Sequence, residues 1–250
     1  MSRDTLYEAL GAERGIVCAV GAGGKKTLLY HLLQHHPGRT AMTATVFTYQ
    51  PPPKLAAAVV VDEETALCDR VPSHSAGRIL YAQPCSKVGR LAGVSAQTLA
   101  AIHREGAFAL TVVKADGARM RQIKAPRDDE PIIPACADVA LLVGSVQALA
   151  RPVNERIAHR LDRVLAITGL CEDQLLTPAD MARLYTHPQG MLRGCANVTP
   201  VPVLNMVDTP AARRAAEETA RHILDGGERF DRVVLTSLKQ PGLLVDVIRR

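Results

Sequence analysis

Gly21-Ala22-Gly23-Gly24, followed directly by Lys25-Lys26-Thr27, has the composition of a phosphate-binding turn. Glycines let the backbone approach an anion closely with converging N–H groups. A helix starting behind them adds a favourable dipole, and a lysine neutralises the outer phosphate oxygens. A neighbouring hydroxyl, here Thr27, is the usual place to hold magnesium. The flanks fit this chemistry. The apolar run Ile16-Val17-Cys18-Ala19-Val20 leads in, and Leu28-Leu29-Tyr30-His31-Leu32-Leu33 leads out with helical character, which is the strand, turn and helix order that G-x-x-x-x-G-K-[ST] requires. Two registers remain open. With Lys25 as the key lysine, Ala19 replaces the first glycine and Lys26 the hydroxyl residue. With Lys26, Thr27 fits, but Val20 and Lys25 replace both glycines.

Three later stretches carry groups that such a turn needs beside it. The apolar run 108–113 ends in Lys114-Ala115-Asp116-Gly117, and a carboxylate at the carboxyl end of a buried strand is placed to bind magnesium. Pro202-Val203-Leu204-Asn205-Met206-Val207-Asp208 sets an Asn and an Asp three apart, resembling the N-K-x-D base-reading motif of GTP-binding proteins, with Met206 in place of the lysine. Val233-Val234-Leu235-Thr236-Ser237 ends in small polar residues where those proteins support the base, which makes Ser237 a further nucleotide-side candidate.

The elements that must position these groups read as alternating strands and helices. Strands are expected over 16–20, 39–43, 57–61, 78–81, 108–113, 139–143, 201–205 and 232–235, and helices over 25–36, 95–105, 153–166, 178–185 and 210–224. The pattern predicts one α/β domain over 1–250, with a mostly parallel sheet flanked by helices, P-loop NTPase-like, and a mostly helical insertion over about 150–200. Hydrophobic residues at 47% against 22% charged are those of a chain that folds by burial. With 3% aromatics and no Trp, the core must be aliphatic, and base-stacking platforms for single-stranded nucleic acid are not expected. The net charge of +5 is spread without a basic run, which also argues against nucleic acid. Six cysteines without a Cys-x-x-Cys pair read as reduced thiols. No secretory signal core and no membrane-length apolar segment is apparent, so a cytoplasmic protein is expected.

Taken together, VGAGGK, ADGARMRQIKAPRDDEPIIP and VLNMVD resemble the YqeC-type accessory proteins of selenium-dependent hydroxylases, nearly over the full chain. The most specific part is D-G-x-x-x-x-x-I-K-A-P-x-x-x-E-P-x-I-P, carried by Asp116, Gly117, Ile123, Lys124, Ala125, Pro126, Glu130, Pro131, Ile133 and Pro134. The resemblance implies a P-loop-like fold and a part in maturing a molybdenum hydroxylase. It makes Lys124 and Glu130 candidates for reaching phosphates or a transferred group. The chain departs from the family pattern at Lys26, at Met42-Thr43-Ala44-Thr45 and at Lys114, where an acidic residue is usual.

Two functions follow. One is a magnesium-dependent nucleoside triphosphatase or nucleotide-using transferase, with ATP or GTP. Lys25 or Lys26 would stabilise the transferred phosphoryl group, Thr27 and Asp116 would hold magnesium, and the N–H groups of Gly21, Ala22, Gly23 and Gly24 would cradle the phosphates. The other is a carrier that binds a nucleotide or a phosphorylated molybdopterin at the same site without cleaving it, a reading that Lys26 and Lys114 favour. The partner in either case is a molybdenum hydroxylase or a cofactor-inserting protein. His31 and His35, four apart, read as a solvated helix end rather than a metal site, and Arg160 as one of many surface charges.

Overall fold

The computed structural model of the protein describes residues 5–240 and 242–250. Its centre is a nine-stranded sheet: β1 (Gly15–Gly21), β2 (Thr40–Ala44), β3 (Ala58–Val61), β4 (Arg78–Ala82), β5 (Leu110–Lys114), β6 (Val139–Ser145), β7 (Thr199–Asn205), β8 (Arg232–Thr236) and β9 (Leu244–Arg249). The spatial order is β9-β8-β7-β6-β1-β5-β2-β4-β3, and every pairing is parallel except that of β9 with β8. All eight strands expected from the apolar runs are present. The unforeseen ninth is an antiparallel edge strand whose residues are only half-buried and so leave a weak apolar signal.

β1 is buried on both faces, as parallel strands covered by helices must be. Val17 and Ala19 face one core with Leu28, Leu29, Leu32 and Leu33 of α2 (Lys25–His35) and Leu6 and Leu10 of α1 (Leu6–Leu10). Ile16, Cys18 and Val20 face the other. Its covering residues come from α3 (Glu64–Arg70), α4 (Ala96–Glu105), α5 (Leu161–Thr168), α6 (Pro178–Thr186) and α7 (Pro210–Asp225). Each of the four α2 leucines, fully removed from water, contributes about 1.5–3 kcal/mol. Side-chain caps fix several helix starts: Ser95 for α4, Thr177 with Asp180 for α6, and Thr209 ahead of Pro210 for α7.

The region expected to be a mostly helical insertion holds only the eight residues of α5 and the nine of α6, joined by turns. The helix expected over 153–166 starts only at Leu161. Asn154 closes an Asx turn by accepting from the Arg156 N–H at 3.1 Å, which gives the backbone an alternative to the helix. Ala158–His159 then pairs in parallel with Ile123–Lys124. His159-Arg160 therefore sits at a strand end and a helix cap, not within a helix. Among the described residues no helix is long and apolar enough to cross a membrane.

From β1 the chain moves to one side of the sheet through β5, β2, β4 and β3, and later resumes on the other side through β6, β7 and β8. The order reverses at β1, and in open α/β sheets ligands bind at such a point, outside the carboxyl ends of the strands. The glycine turn leaves β1 there, flanked by Asp116 beyond β5 and Ser145 at the end of β6.

Candidate phosphate site

The turn bends as it does because its glycines take backbone angles closed to other residues. Gly21 has φ 92° and Gly24 has φ 113°. A Cβ on Gly21 would strike the Val143 carbonyl, and one on Gly24 the Asn205 amide. The N–H groups in the first half of the turn are already engaged. Gly21 N–H donates to Asp116 Oδ2 at 2.9 Å, Ala22 N–H to Val143 O at 2.8 Å, and Gly23 N–H to Arg121 O at 3.0 Å. The expected cradle from Gly21 to Gly24 is therefore corrected at its first three members, Gly21, Ala22 and Gly23, whose donors hold the turn in shape. The donors left for an anion begin at Gly24 and run through the first turn of α2 at Lys25, Lys26 and Thr27, where no side chain caps the helix.

A line of alternating charges runs inward from this helix start. Lys25 Nζ lies 2.9 Å from Asp116 Oδ1, and Lys124 Nζ lies 2.9 Å from Asp116 Oδ2 and 2.8 Å from Glu130 Oε2. Arg160 closes the line with an η nitrogen 3.0 Å from that same Glu130 oxygen. Lys25 also donates to the Gly21 carbonyl, and Lys124 to the Gly117 carbonyl at 2.7 Å. Lys25, Asp116 and Lys124 are buried, and Glu130 is half-buried. Burial alone would push the Asp116 carboxyl up, but the cations Lys25 and Lys124 outweigh it and hold the pKa below the usual range. Burial pulls the Lys25 ammonium down, against the attraction of Asp116.

Of the two lysines, Lys25 meets Asp116. Lys26 turns outward, its Nζ 5.5 Å from the Tyr30 ring centroid and 5.7 Å from that of Tyr49. Lys114, which sequence reading took as a departure from pattern, is buried at the end of β5 and donates to Phe47 O at 2.8 Å. Burial, and then the Lys25 cation, lower its pKa to about 8.

On the far side of the turn Asn205 is fully buried and its amide is spent. Nδ2 donates to Gly23 O at 2.7 Å and Oδ1 accepts from Thr236 Oγ1 at 2.9 Å. Asn205 is thus a tether for the turn, not a free base reader. Its separation of 182 residues from Gly23 hid this from the sequence. Asp208 stands beside it, accepting from Ser237 Oγ at 2.7 Å and lying 3.3 Å from Lys239 Nζ. Met206 Sδ accepts from Ser145 Oγ at 3.0 Å.

The site fits an anion better than a magnesium ion. Both Asp116 oxygens face lysines, Thr27 is exposed with no bond to Asp116, and no cluster of three or more His, Cys, Asp or Glu residues exists among the described residues. A cavity of about 10 Å³ touches Gly21, Asp116, Lys124 and Met191, room for one water at most and too small for a phosphate group.

Residues 17–162 match the family described as YqeC protein. The chain belongs to the YqeC family. It is also 29% identical over 200 residues, 76% of this chain and 77% of the relative, to the Uncharacterized protein YqeC of Escherichia coli strain K12. The family match spans the glycine turn and the whole line from Lys25 to Arg160, and it ends before Asn205 and Asp208.

Proposed function

We propose that this YqeC-family protein binds the phosphate tail of a nucleoside triphosphate at the start of α2. In this reading it serves as a nucleotide-dependent accessory protein in maturing a molybdenum hydroxylase, the role that the family resemblance implies. One observation carries the binding reading: a buried lysine, Lys25, at an uncapped helix N-terminus, its ammonium 2.9 Å from the buried Asp116 carboxylate. Phosphate oxygens offer Lys25 a stronger set of acceptors, and Lys124 stays behind to balance Asp116. Lys114 adds positive charge to the same strand end. Asp208, whose carboxylate retains free lone pairs beside Ser237, is placed to accept hydrogen bonds from a base edge. Binding and release of an intact ligand, as by a carrier of nucleotide or of phosphorylated molybdopterin, is the form that this lysine-rich site favours. Magnesium-dependent turnover is a second reading, favoured by the one carboxylate oxygen, Asp116 Oδ1, that a ligand drawing away Lys25 would free.

The test is titration with ATP, GTP and CTP, with and without magnesium, read by thermal shift and by release of inorganic phosphate. One nucleotide at about 100 times its Kd should stabilise the protein by about 2.7 kcal/mol, without phosphate release, and Lys25→Ala should remove the shift. Release that requires magnesium would move the assignment to the nucleoside triphosphatase or transferase. A shift unchanged in Lys25→Ala, or none for any nucleotide, would sink the phosphate site.

A further inference from the structure

The inward line of charges ends in a second cavity. Arg160, its last member, lines an open groove of about 630 Å³ with Arg119, Arg121, His159 and Leu161. Arg119 and Arg121 make no ion pair among the described residues. Arg160 is four-fifths buried and is shared only with Glu130. Three carboxylates, Glu155, Asp162 and Glu172, also border the groove, but all three are exposed to solvent, where water and salt screen them. The inner wall is positive. His159, on that wall, is held down to about 4 by burial and then by the cations Lys124 and Arg160, with Glu130 opposing and Arg119 adding to them. The groove also meets the start of α5, whose cap Arg160 supplies no side-chain bond to the free N–H groups behind it.

We propose that this groove binds a second ligand, a small phosphorylated or carboxylated anion distinct from the nucleotide, and that the two ligands oppose each other through the line of charges. The coupling rests on the phosphate site proposed above; the groove itself does not. Its sign follows from the alternation of Lys25, Asp116, Lys124, Glu130 and Arg160. A nucleotide that draws Lys25 away leaves Asp116 to Lys124, which loosens Lys124 from Glu130 and leaves Glu130 to hold Arg160 more firmly. An anion that draws Arg160 away leaves Glu130 to Lys124, which leaves Asp116 to hold Lys25. Lys124 divides its charge between the two carboxylates, so tightening one contact loosens the other, each ligand weakens the other, and linkage makes the two factors equal. The two sites also share a wall, because the Arg121 carbonyl accepts the Gly23 N–H of the turn. An accessory protein built this way exchanges one ligand for the other.

The probe is citrate, followed by calorimetry with the full chain. Citrate should bind, Lys25→Ala should weaken that binding as a nucleotide does without abolishing it, because Asp116 is again left to Lys124, and Arg119→Ala should weaken it several-fold while leaving nucleotide affinity unchanged. Arg119 is exposed and makes no ion pair among the described residues, so the variant should fold. A nonhydrolysable analogue of the preferred nucleotide should weaken citrate at least about fivefold, within the usual range of such couplings, and Glu130→Gln should abolish the effect. If Glu130→Gln fails to fold, the measurement on the unaltered protein decides the coupling alone. Absence of citrate binding, or equal loss of citrate and nucleotide binding in the arginine variant, would overturn the separate site. Citrate affinity unmoved by a nucleotide that does bind would overturn the coupling. Loss of nucleotide binding alone, with citrate still held by the arginines, would count against the phosphate site and leave the groove standing.

Discussion

Two stretches of one sheet edge meet at the glycine turn and are built from opposite chemistry. At the carboxyl ends of β1 and β5 stand Lys25, Asp116, Lys124 and Lys114, ions buried close together. At the ends of β7 and β8 stand Asn205 and Thr236, neutral groups bonded to each other and, through Asn205, to the turn. A buried ion pair returns little net stability because desolvation offsets its attraction, whereas a satisfied neutral network fixes geometry at small cost. The first region is thus suited to trade partners with a ligand, and the second to hold the turn still while it does.

The largest effect that separates the two should come from the charged side. Asp116→Asn removes the carboxylate shared by Lys25 and Lys124, leaving Lys25 to an amide and Lys124 to Glu130. Removing one partner of a buried pair costs about 3–5 kcal/mol, and urea unfolding should register a loss of that size. A loss under about 1 kcal/mol would mean that water reaches these groups, as at exposed pairs, and would erase the contrast.

On the neutral side, Asn205→Ala leaves the Gly23 carbonyl and the Thr236 hydroxyl without their shared partner in a buried setting. The expected cost is about 1–3 kcal/mol, again by urea unfolding. Nucleotide affinity should fall further than that of a merely destabilised control, because the freed turn no longer presents the α2 N–H groups. Equal affinity in the variant would show that the turn keeps its shape without the tether.

This contrast explains how much the sequence could reveal. The glycine turn, Asp116, Asn205 and Ser237 were legible because each follows an apolar strand, and parallel strands must end on one edge. The D-G-x-x-x-x-x-I-K-A-P spacing marked Lys124 and Glu130. What stayed hidden was pairing across the fold. Nothing local says that Lys25 chooses Asp116 while Lys26 turns to Tyr30 and Tyr49, or that Arg160 reaches Glu130 thirty residues away. The turn's N–H groups were misassigned because their acceptors, Val143 and Arg121, lie on other segments. α5 was placed too early because periodicity in 153–166 ignores the Asx turn at Asn154.

The smallest expected effect gives the finest test of the charged side, because it should move stability and binding in opposite directions. Lys114 has a pKa lowered from 10.5 to about 8 by burial and by the neighbouring Lys25 cation. Below pH 8 the ammonium is charged in both folded and unfolded chains, and its burial penalty is felt in full. Between about 8 and 10.5 the folded chain carries neutral Lys114 while the unfolded chain still binds the proton, so stability rises with pH across that window. Lys114→Met keeps the aliphatic stem and removes the charge. It should raise stability at pH 7 by about 1 kcal/mol, the lost bond to Phe47 O offsetting part of the gain, and flatten the rise above pH 8. Nucleotide affinity should move the other way: weaker in the variant at pH 7, and in the unaltered protein falling as pH climbs through about 8 and the ammonium discharges. A variant that is more stable and binds equally well would show that Lys114 is a buried charge without a ligand to meet, and would confine the phosphate site to Lys25 and the start of α2.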